Sequence, residues 1–136
     1  MAIILDSGVI IGGEGGTLHL EEWMAAHPDQ EFAVAAVTVA ELWHGVERAT
    51  PEHRAKRQSY IENALAAVEI IPYSEQTARI HASLWAQLES SGRMIGDYDL
   101  IIAATALEHE CDVATFNSRH FAVVEGLTVI GLRYST

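Results

Sequence analysis

Short apolar runs alternate with longer amphipathic segments along most of this chain. Runs of four to six positions that are rich in aliphatic and β-branched residues predict buried strands. Their shortness favours strands over helices, because helices usually need about 10 or more residues. We predict five strands, at residues 2–5, 32–37, 68–71, 112–115 and 127–132.

The segments between these strands carry helix start and stop signals. Ser, Thr and Asp favour the N-cap position, and Gly or Pro commonly ends a helix. Residues 9–16 contain four of the ten glycines and allow no assignment. We predict helices at residues 17–27, 39–49, 52–67, 75–90 and 98–110. Their predicted start signals are Thr17, Thr38, Pro51, Ser74 and Asp97, and two predicted stops are Pro28 and Gly92.

Strands that alternate with helices predict an α/β domain with a mainly parallel sheet and helices on both faces. We expect a single domain that covers residues 1–136. Ligands bind to such folds at the carboxyl ends of the strands. Asp6 directly follows the first strand, Glu41 falls in the first turn of the helix after the second strand, and residues 115–117 end the fourth strand. The sequence therefore predicts a site at this edge of the sheet.

Composition narrows the class of protein. The chain has 136 residues, of which 49% are hydrophobic, so it can bury the core of one domain. No apolar run approaches the length of a membrane span, and Asp6 interrupts the first run, so we expect neither a span nor a signal peptide. Cys111 is the only cysteine, which excludes an internal disulfide and favours the cytoplasm.

The net charge of -11 argues against binding to nucleic acid through a broad basic surface. It is compatible with an enzyme whose acidic residues hold metal ions, and with a basic protein partner. The one basic cluster, residues 54–57, could follow an RNA backbone, but a solvated helix face is the favoured interpretation. Charge alone therefore leaves a metal-dependent activity open.

Several acidic residues stand beside apolar segments, where a core has little other use for them. If these residues converge, their mutual repulsion raises their pKa values unless a cation neutralises them. Mg²⁺ is the natural cation, because it is a hard ion that prefers oxygen ligands. It can activate a water and stabilise the charge that builds on a phosphodiester. The acids are Asp6, Glu41, Asp97 and Asp99.

Each of these acids also has a purely structural interpretation. Glu41 could close a capping box with Thr38, and Asp6 could simply form a turn. Asp97 suits an N-cap, which is its favoured role, and Asp99 could interact with the helix dipole. Two positions apart in one helix, Asp97 and Asp99 point to different sides, so we expect only one of them to face the site.

In their order along the chain, these features resemble the PIN domain, and in particular the VapC-like toxins. The match spans nearly the whole chain, and an Asp-x-x-Ile-Ala-Ala segment followed by Thr-x-Asn-x-x-His-Phe is fairly specific. The resemblance implies a three-layer α/β/α fold with a sheet of about five short strands. The matching segments are the strand ending at Asp6-Ser7, residues 38–42 with Gly45, residues 95–104 with Ala106, and residues 115–121 with Gly126-Leu127.

The family consists of ribonucleases that depend on Mg²⁺ or Mn²⁺. By this resemblance Asp6, Glu41 and Asp99 are the catalytic, metal-binding carboxylates, and Asp99 is preferred over Asp97. The resemblance also makes Asn117 a catalytic candidate, because it stands where many members have a fourth acid and VapC-like members often carry Asn there. Further candidates for substrate or secondary contacts are Ser7, Asp97, Thr115 and Arg119.

The resemblance also implies partners. It predicts an endoribonuclease that acts as the toxin of a toxin–antitoxin pair, with RNA as its substrate. VapC-like toxins are typically held inactive by an antitoxin whose segment blocks the site, often with a basic side chain, and they commonly form homodimers. A chain of charge -11 suits such a partner.

Three other functions compete with this hypothesis. A catalytically inactive PIN scaffold that binds RNA or protein has Asn117 as its support, because Asn lacks the charge of an acid. A haloacid-dehalogenase-like phosphatase needs a second Asp two residues after Asp6, where this chain has Gly8. A dinucleotide site needs G-x-G-x-x-G after the first strand, and the glycines of residues 12–16 do not give that pattern.

Overall fold

A computed structural model describes residues 2–16 and 18–133 of the chain. Strands and helices alternate through these residues, as the sequence predicts. The strands are β1 (Ala2–Leu5), β2 (Glu31–Ala35), β3 (Glu69–Ile71), β4 (Asp112–Thr115) and β5 (Val129–Gly131). The helices are α1 (Ser7–Gly15), α2 (Leu20–Ala25), α3 (Ala36–Arg48), α4 (Pro51–Ala66), α5 (Glu75–Ser90), α6 (Asp97–His109) and α7 (Ser118–Phe121).

The five strands form one sheet in the order β3-β2-β1-β4-β5, and every neighbouring pair is parallel. Parallel neighbours need crossover connections, which the helices supply. The predicted parallel α/β architecture is confirmed. β1 lies at the centre between β2 and β4, so the residue that follows it is placed in the middle of the carboxyl edge.

Helices cover both faces of the sheet because alternate residues of β1 point to opposite sides. Ile3 and Leu5 pack with apolar residues of α1, α3 and α4 in one core cluster. Ile4 packs on the other face with residues of α5, α6 and α7. The fold is therefore the expected three-layer α/β/α arrangement, with a core on each side of the sheet.

The junction between β2 and α3 differs from the prediction. β2 ends at Ala35, and α3 begins at Ala36 with no side-chain hydrogen bond at its N-cap. Thr38 therefore lies inside the helix, so the predicted start at Thr38 is wrong, and so is the alternative interpretation of Glu41 as its capping-box partner. Buried residues at Thr38, Leu42 and Val46 follow helical spacing, so packing of this stripe overrides the strand propensity of the preceding residues.

The N-cap of α6 is Gly96, so the prediction that Asp97 caps this helix is wrong. Asp97 and Asp99 both lie in the first turn, where acidic side chains complement the helix dipole without a capping hydrogen bond. The predicted start at Ser74 is confirmed, because its hydroxyl accepts from the backbone N–H of Thr77. Gly92 follows the end of α5 with φ +70°, as expected of a glycine stop.

Two helices were not predicted from the sequence. α1 forms in the glycine-rich segment that allowed no assignment, and its start is stabilised by the side chain of Asp6. α7 is a single turn after β4. The predicted cap Thr17 lies outside the described residues, and α2 spans only Leu20–Ala25. The other element boundaries lie within two residues of their predicted positions, and the short β5 lies inside its predicted range.

No helix in residues 2–16 or 18–133 combines the length and the apolar character that crossing a membrane requires.

Helices α1 and α4 meet at a tight contact around Gly13. The Tyr60 hydroxyl donates to the Ile10 carbonyl across 2.6 Å. A Cβ added at Gly13 would collide with that hydroxyl and would press against Leu20. This position therefore requires glycine for the close approach of two helices.

We predict that Gly13→Ala lowers the free energy of unfolding by about 1–3 kcal/mol, because the added methyl overpacks the α1–α4 contact. Gly15→Ala is the matched control in the same helix, where a Cβ meets open space and costs nothing. Chemical denaturation measures both effects. Tyr60→Phe removes the colliding hydroxyl, so the penalty of Gly13→Ala should shrink in that background. Equal effects of the two alanine substitutions would contradict this account of the contact.

Candidate active site

Asp6 stands at the carboxyl end of the central strand and is 6% exposed. Its Oδ1 accepts the backbone N–H of Ser7 across 2.8 Å, which makes it the N-cap of α1. Its Oδ2 accepts from the Thr115 hydroxyl, also across 2.8 Å. Both hydrogen bonds favour the ionised carboxylate and fix its orientation.

Thr115 ends β4, the parallel neighbour of β1, so it lies beside Asp6 at the same edge. Its hydroxyl donates to Asp6 and accepts from the backbone N–H of Asn117 across 2.9 Å. The hydroxyl is fully buried and has a donor on one side and an acceptor on the other. Thr115 therefore acts as a fixed support for Asp6. The sequence indicated only a secondary role, because the pairing of β1 with β4 is not visible along the chain.

Glu41 lies in the second turn of α3, one turn further along than predicted. Its Oε2 is 3.4 Å from the Ser7 hydroxyl, which can donate a weak hydrogen bond to it. Its Oε1 is buried and has no hydrogen-bond partner among the described residues. A buried carboxylate oxygen without a partner is costly, so this atom is one that a cation would stabilise.

Asp99 reaches the site from the first turn of α6, and its side chain is 25% exposed. Its Oδ2 lies 3.3 Å from Nδ1 of His120, which follows β4 in α7. Asp97 is exposed and forms no described hydrogen bond or ion pair, as is expected for a residue two positions earlier on another side of the helix. The fold thus brings Asp99, and not Asp97, to the buried carboxylates.

The charges of neighbouring acids affect the ionisation of Asp6 and Glu41. Burial raises the pKa of Asp6, and the negative charge of Asp99 adds to that rise, while hydrogen bonds from Thr115 and Ser7 oppose it. Burial raises the pKa of Glu41 to about 6, with further contributions from the charges of Asp6 and Asp99. Asp6 and Glu41 therefore share one acidic environment with Asp99.

The remaining candidates surround this cluster. Ser7 contacts two of the three acids, since its backbone N–H donates to Asp6 and its hydroxyl faces Glu41. Asn117 is exposed, and its backbone N–H rather than its side chain makes the described contact. Arg119 is exposed on α7, immediately before His120. The hydroxyl of Thr38 is buried without a described partner, and the sequence indicated only a capping role for it.

The donor set suits a hard divalent cation such as Mg²⁺ or Mn²⁺, which binds carboxylate oxygens and retains several waters. The unpartnered Glu41 Oε1 and the raised pKa values of Glu41 and Asp6 mark a surplus of negative charge that a cation would relieve. Within residues 2–16 and 18–133, no three His, Cys, Asp or Glu side chains are grouped as closely as a finished metal site requires. The arrangement therefore fits a metal by its chemistry and not by a ready-made ligand cage.

Comparison with known proteins gives consistent matches over nearly the whole chain. The family model described as PIN domain matches residues 3–127. Ribonuclease VapC1 of Rickettsia felis is 30% identical over 131 residues, which cover 96% of each chain. Ribonuclease VapC5 of Mycobacterium tuberculosis is 38% identical over 124 residues, which cover 90% of this chain and 87% of that protein.

Solved structures match the fold as well. The VapBC2 structure from Rickettsia felis, described as bound to a DNA fragment from its promoter, superposes with a TM-score of 0.90 at 22% identity. That match covers 97% of this chain and 99% of the other. The VapBC-5 structure from Mycobacterium tuberculosis, described as a toxin-antitoxin system, matches with a TM-score of 0.75 at 32% identity, covering 97% and 100%.

We predict that Glu41→Gln is more stable than the wild type at pH 7 in EDTA. The expected gain in the free energy of unfolding is about 1 kcal/mol, which is less than the full pKa shift implies because Glu41 is partly exposed to solvent. The folded state holds a proton on Glu41 up to about pH 6, whereas the unfolded state releases it near pH 4.5. Wild-type stability therefore falls as pH rises through this window, and the variant lacks that loss. Denaturation at pH 4 and pH 7 measures the difference.

Glu47→Gln is the matched control on the same helix. Its carboxylate is exposed and pairs only with Arg54 on the surface, so this substitution should change stability little at either pH. Loss of stability in Glu41→Gln at pH 7 would show that the Glu41 carboxylate is not electrostatically unfavourable in the metal-free fold.

Proposed function

The chain belongs to the PIN-domain family, among relatives that are VapC ribonucleases, and on this premise we propose that it is a metal-dependent endoribonuclease and the toxin component of a toxin–antitoxin pair. The observation that carries the proposal is the convergence of Asp6, Glu41 and Asp99 at one edge of the sheet. A purely structural protein would not gain from three mutually repelling acids, one of which has a buried oxygen without a described partner.

Asp6, Glu41 and Asp99 would hold the Mg²⁺ or Mn²⁺ ion. When bound, such an ion supplies an activated water and neutralises the charge that builds on the phosphodiester during attack. Hydrogen bonds from Thr115 and Ser7 orient the Asp6 carboxylate and favour its ionised form. Because the pKa of the half-buried Glu41 is raised to about 6, this residue must lose a proton near that pH before it can bind the ion with its charge. Metal binding would therefore depend on pH.

RNA would be the substrate. With its strongly acidic composition, the chain differs from proteins that bind RNA through a broad basic surface. Contacts near the cleavage site would then select the RNA, through shape and unpaired nucleotides. Two arginines of the 54–57 cluster form ion pairs with Glu47 and Glu14 in the fold, which favours the solvated-face interpretation of that cluster.

An antitoxin is the proposed protein partner. Several solved structures that match this fold are described as VapBC or toxin-antitoxin complexes. Three carboxylates would attract a basic side chain of such a partner. Among the described residues, only the imidazole of His120 could carry a compensating positive charge next to Asp99. The proposal extends to a homodimer and to a cytoplasmic location, which the resemblance and the composition imply.

We predict that purified, antitoxin-free protein cuts a labelled pool of total RNA and tRNA into discrete fragments with Mg²⁺ or Mn²⁺, and that EDTA abolishes the cleavage. Asp99→Asn should lower the rate by at least about 100-fold, because it removes charge from the metal-binding cluster. Asp97→Asn is the matched control in the same turn of α6, and its exposed side chain predicts nearly unchanged cleavage. Gel electrophoresis of time courses measures both.

Equal activity of Asp99→Asn and wild type would contradict the assignment of Asp99. Absence of cleavage by folded wild-type protein with either metal would instead support the inactive PIN scaffold, for which the exposed, uncharged Asn117 is the sequence argument.

A further inference from the structure

A small pocket opens directly after β4, beside the carboxylate cluster. Residues 116–120 line it, and its volume is about 200 Å³. Four of these residues supply polar groups, which are an amide, a hydroxyl, a guanidinium and an imidazole, from Asn117, Ser118, Arg119 and His120. All four groups can donate hydrogen bonds and none is negatively charged, so the lining suits an anion.

The pocket shares residues with the candidate active site. His120 lines the pocket, and its Nδ1 lies 3.3 Å from the Asp99 carboxylate. Asn117 also lines the pocket, and its backbone N–H donates to the Thr115 hydroxyl that supports Asp6. A group bound in the pocket would therefore lie next to the carboxylates without displacing them.

The pocket is built on a fixed base. Phe121, the last residue of α7, is fully buried in the core. At the other end of α7, Ser118 lies so close to β5 that a Cβ at Gly131 would be 3.3 Å from the Ser118 Cβ. Because α7 is held at both ends, a ligand would pay little ordering cost when it binds here.

Arg119 supplies a charge that no other described residue neutralises. The chain has 8 Lys and Arg against 19 Asp and Glu. Arg54, Arg57 and Arg79 each pair with a glutamate, whereas Arg119 is exposed and forms no ion pair with a described residue. A polyanion that approaches three carboxylates meets repulsion, and a positive charge in the adjoining pocket, next in sequence to His120, would offset part of it.

We propose that the pocket of residues 116–120 binds one phosphate–ribose unit of single-stranded RNA adjacent to the scissile bond, and that Arg119 binds its phosphate. The inference rests on the proposed function and names a substrate contact of that site. A guanidinium matches the geometry of a phosphate with two parallel hydrogen bonds. A volume of about 200 Å³ is smaller than sites that enclose a whole small molecule, which suits one unit of a longer chain.

The test measures binding of a fluorescein-labelled short single-stranded RNA of mixed sequence by fluorescence anisotropy in EDTA, where cleavage is not expected. Arg119→Gln should weaken binding about tenfold, which corresponds to about 1.4 kcal/mol for a charged hydrogen-bonded contact. It should also reduce the slope of log K against log salt concentration by about 0.7, the value for one phosphate contact on a single strand.

Arg48→Gln is the matched control. Arg48 is exposed at the C-terminal end of α3, away from the edge that carries Glu41, and it forms no ion pair with a described residue. The two variants change the net charge equally, so a difference between them reports the local contact and not general electrostatics. Arg119→Lys should restore part of the affinity, because Lys keeps the charge and loses the planar fork.

Equal RNA binding by Arg119→Gln and Arg48→Gln would overturn the proposal. The proposal would also be overturned if inorganic phosphate stabilised the wild type through Arg119 while Arg119→Gln left RNA binding unchanged. The pocket would then bind only a free anion. In cleavage assays Arg119→Gln should raise KM and leave kcat nearly unchanged. If RNA binding depended on Arg119 but no metal concentration gave cleavage, the proposed nuclease activity would be wrong and the proposed phosphate pocket would stand.

Discussion

Repulsion among three carboxylates is the constraint that organises this structure. Burial and the charge of Asp99 raise the pKa of Asp6, and burial and the charges of Asp6 and Asp99 raise the pKa of Glu41. The fold opposes the repulsion with hydrogen bonds from Thr115 and Ser7 and with the imidazole of His120 beside Asp99. These contacts leave the oxygen Oε1 of Glu41 without a partner among the described residues. A divalent cation bound here would give that oxygen a partner and reduce the repulsion.

The parallel sheet explains how residues far apart in sequence reach one point. β1 is central, so Asp6 lies between the ends of β2 and β4, from which α3 and α7 continue. α3 carries Glu41 back over one face, and α7 places His120 against Asp99 of α6. The same edge carries the acids of the proposed metal site and, in residues 116–120, the polar groups of the proposed phosphate pocket. A strongly acidic chain could thus approach RNA through one local contact rather than through its whole surface.

The architecture could be predicted because apolar periodicity marks the strands and most of the helices. Strand-end Asp6 and the order of motifs also indicated the site. The start of α3 could not be predicted, because Val37 and Thr38 favour strands locally and only packing of the Thr38–Val46 stripe decides for a helix. Asp99 was preferred over Asp97 by resemblance, and the helix face on which each lies gives the physical reason. The support of Asp6 by Thr115 and the pocket after β4 depend on strand pairing, which a single sequence does not contain.

Calorimetric titration of Mn²⁺ into metal-free wild type and Glu41→Gln tests the central claim most directly, because it needs neither RNA nor turnover. At pH 6, in two buffers of different ionisation enthalpy, the account predicts that the wild type binds Mn²⁺ and releases part of a proton. Glu41→Gln should bind more weakly and release less. Equal affinity and equal proton release in the two proteins, or no Mn²⁺ binding by the wild type, would contradict the claim that these carboxylates bind a divalent metal through their negative charge.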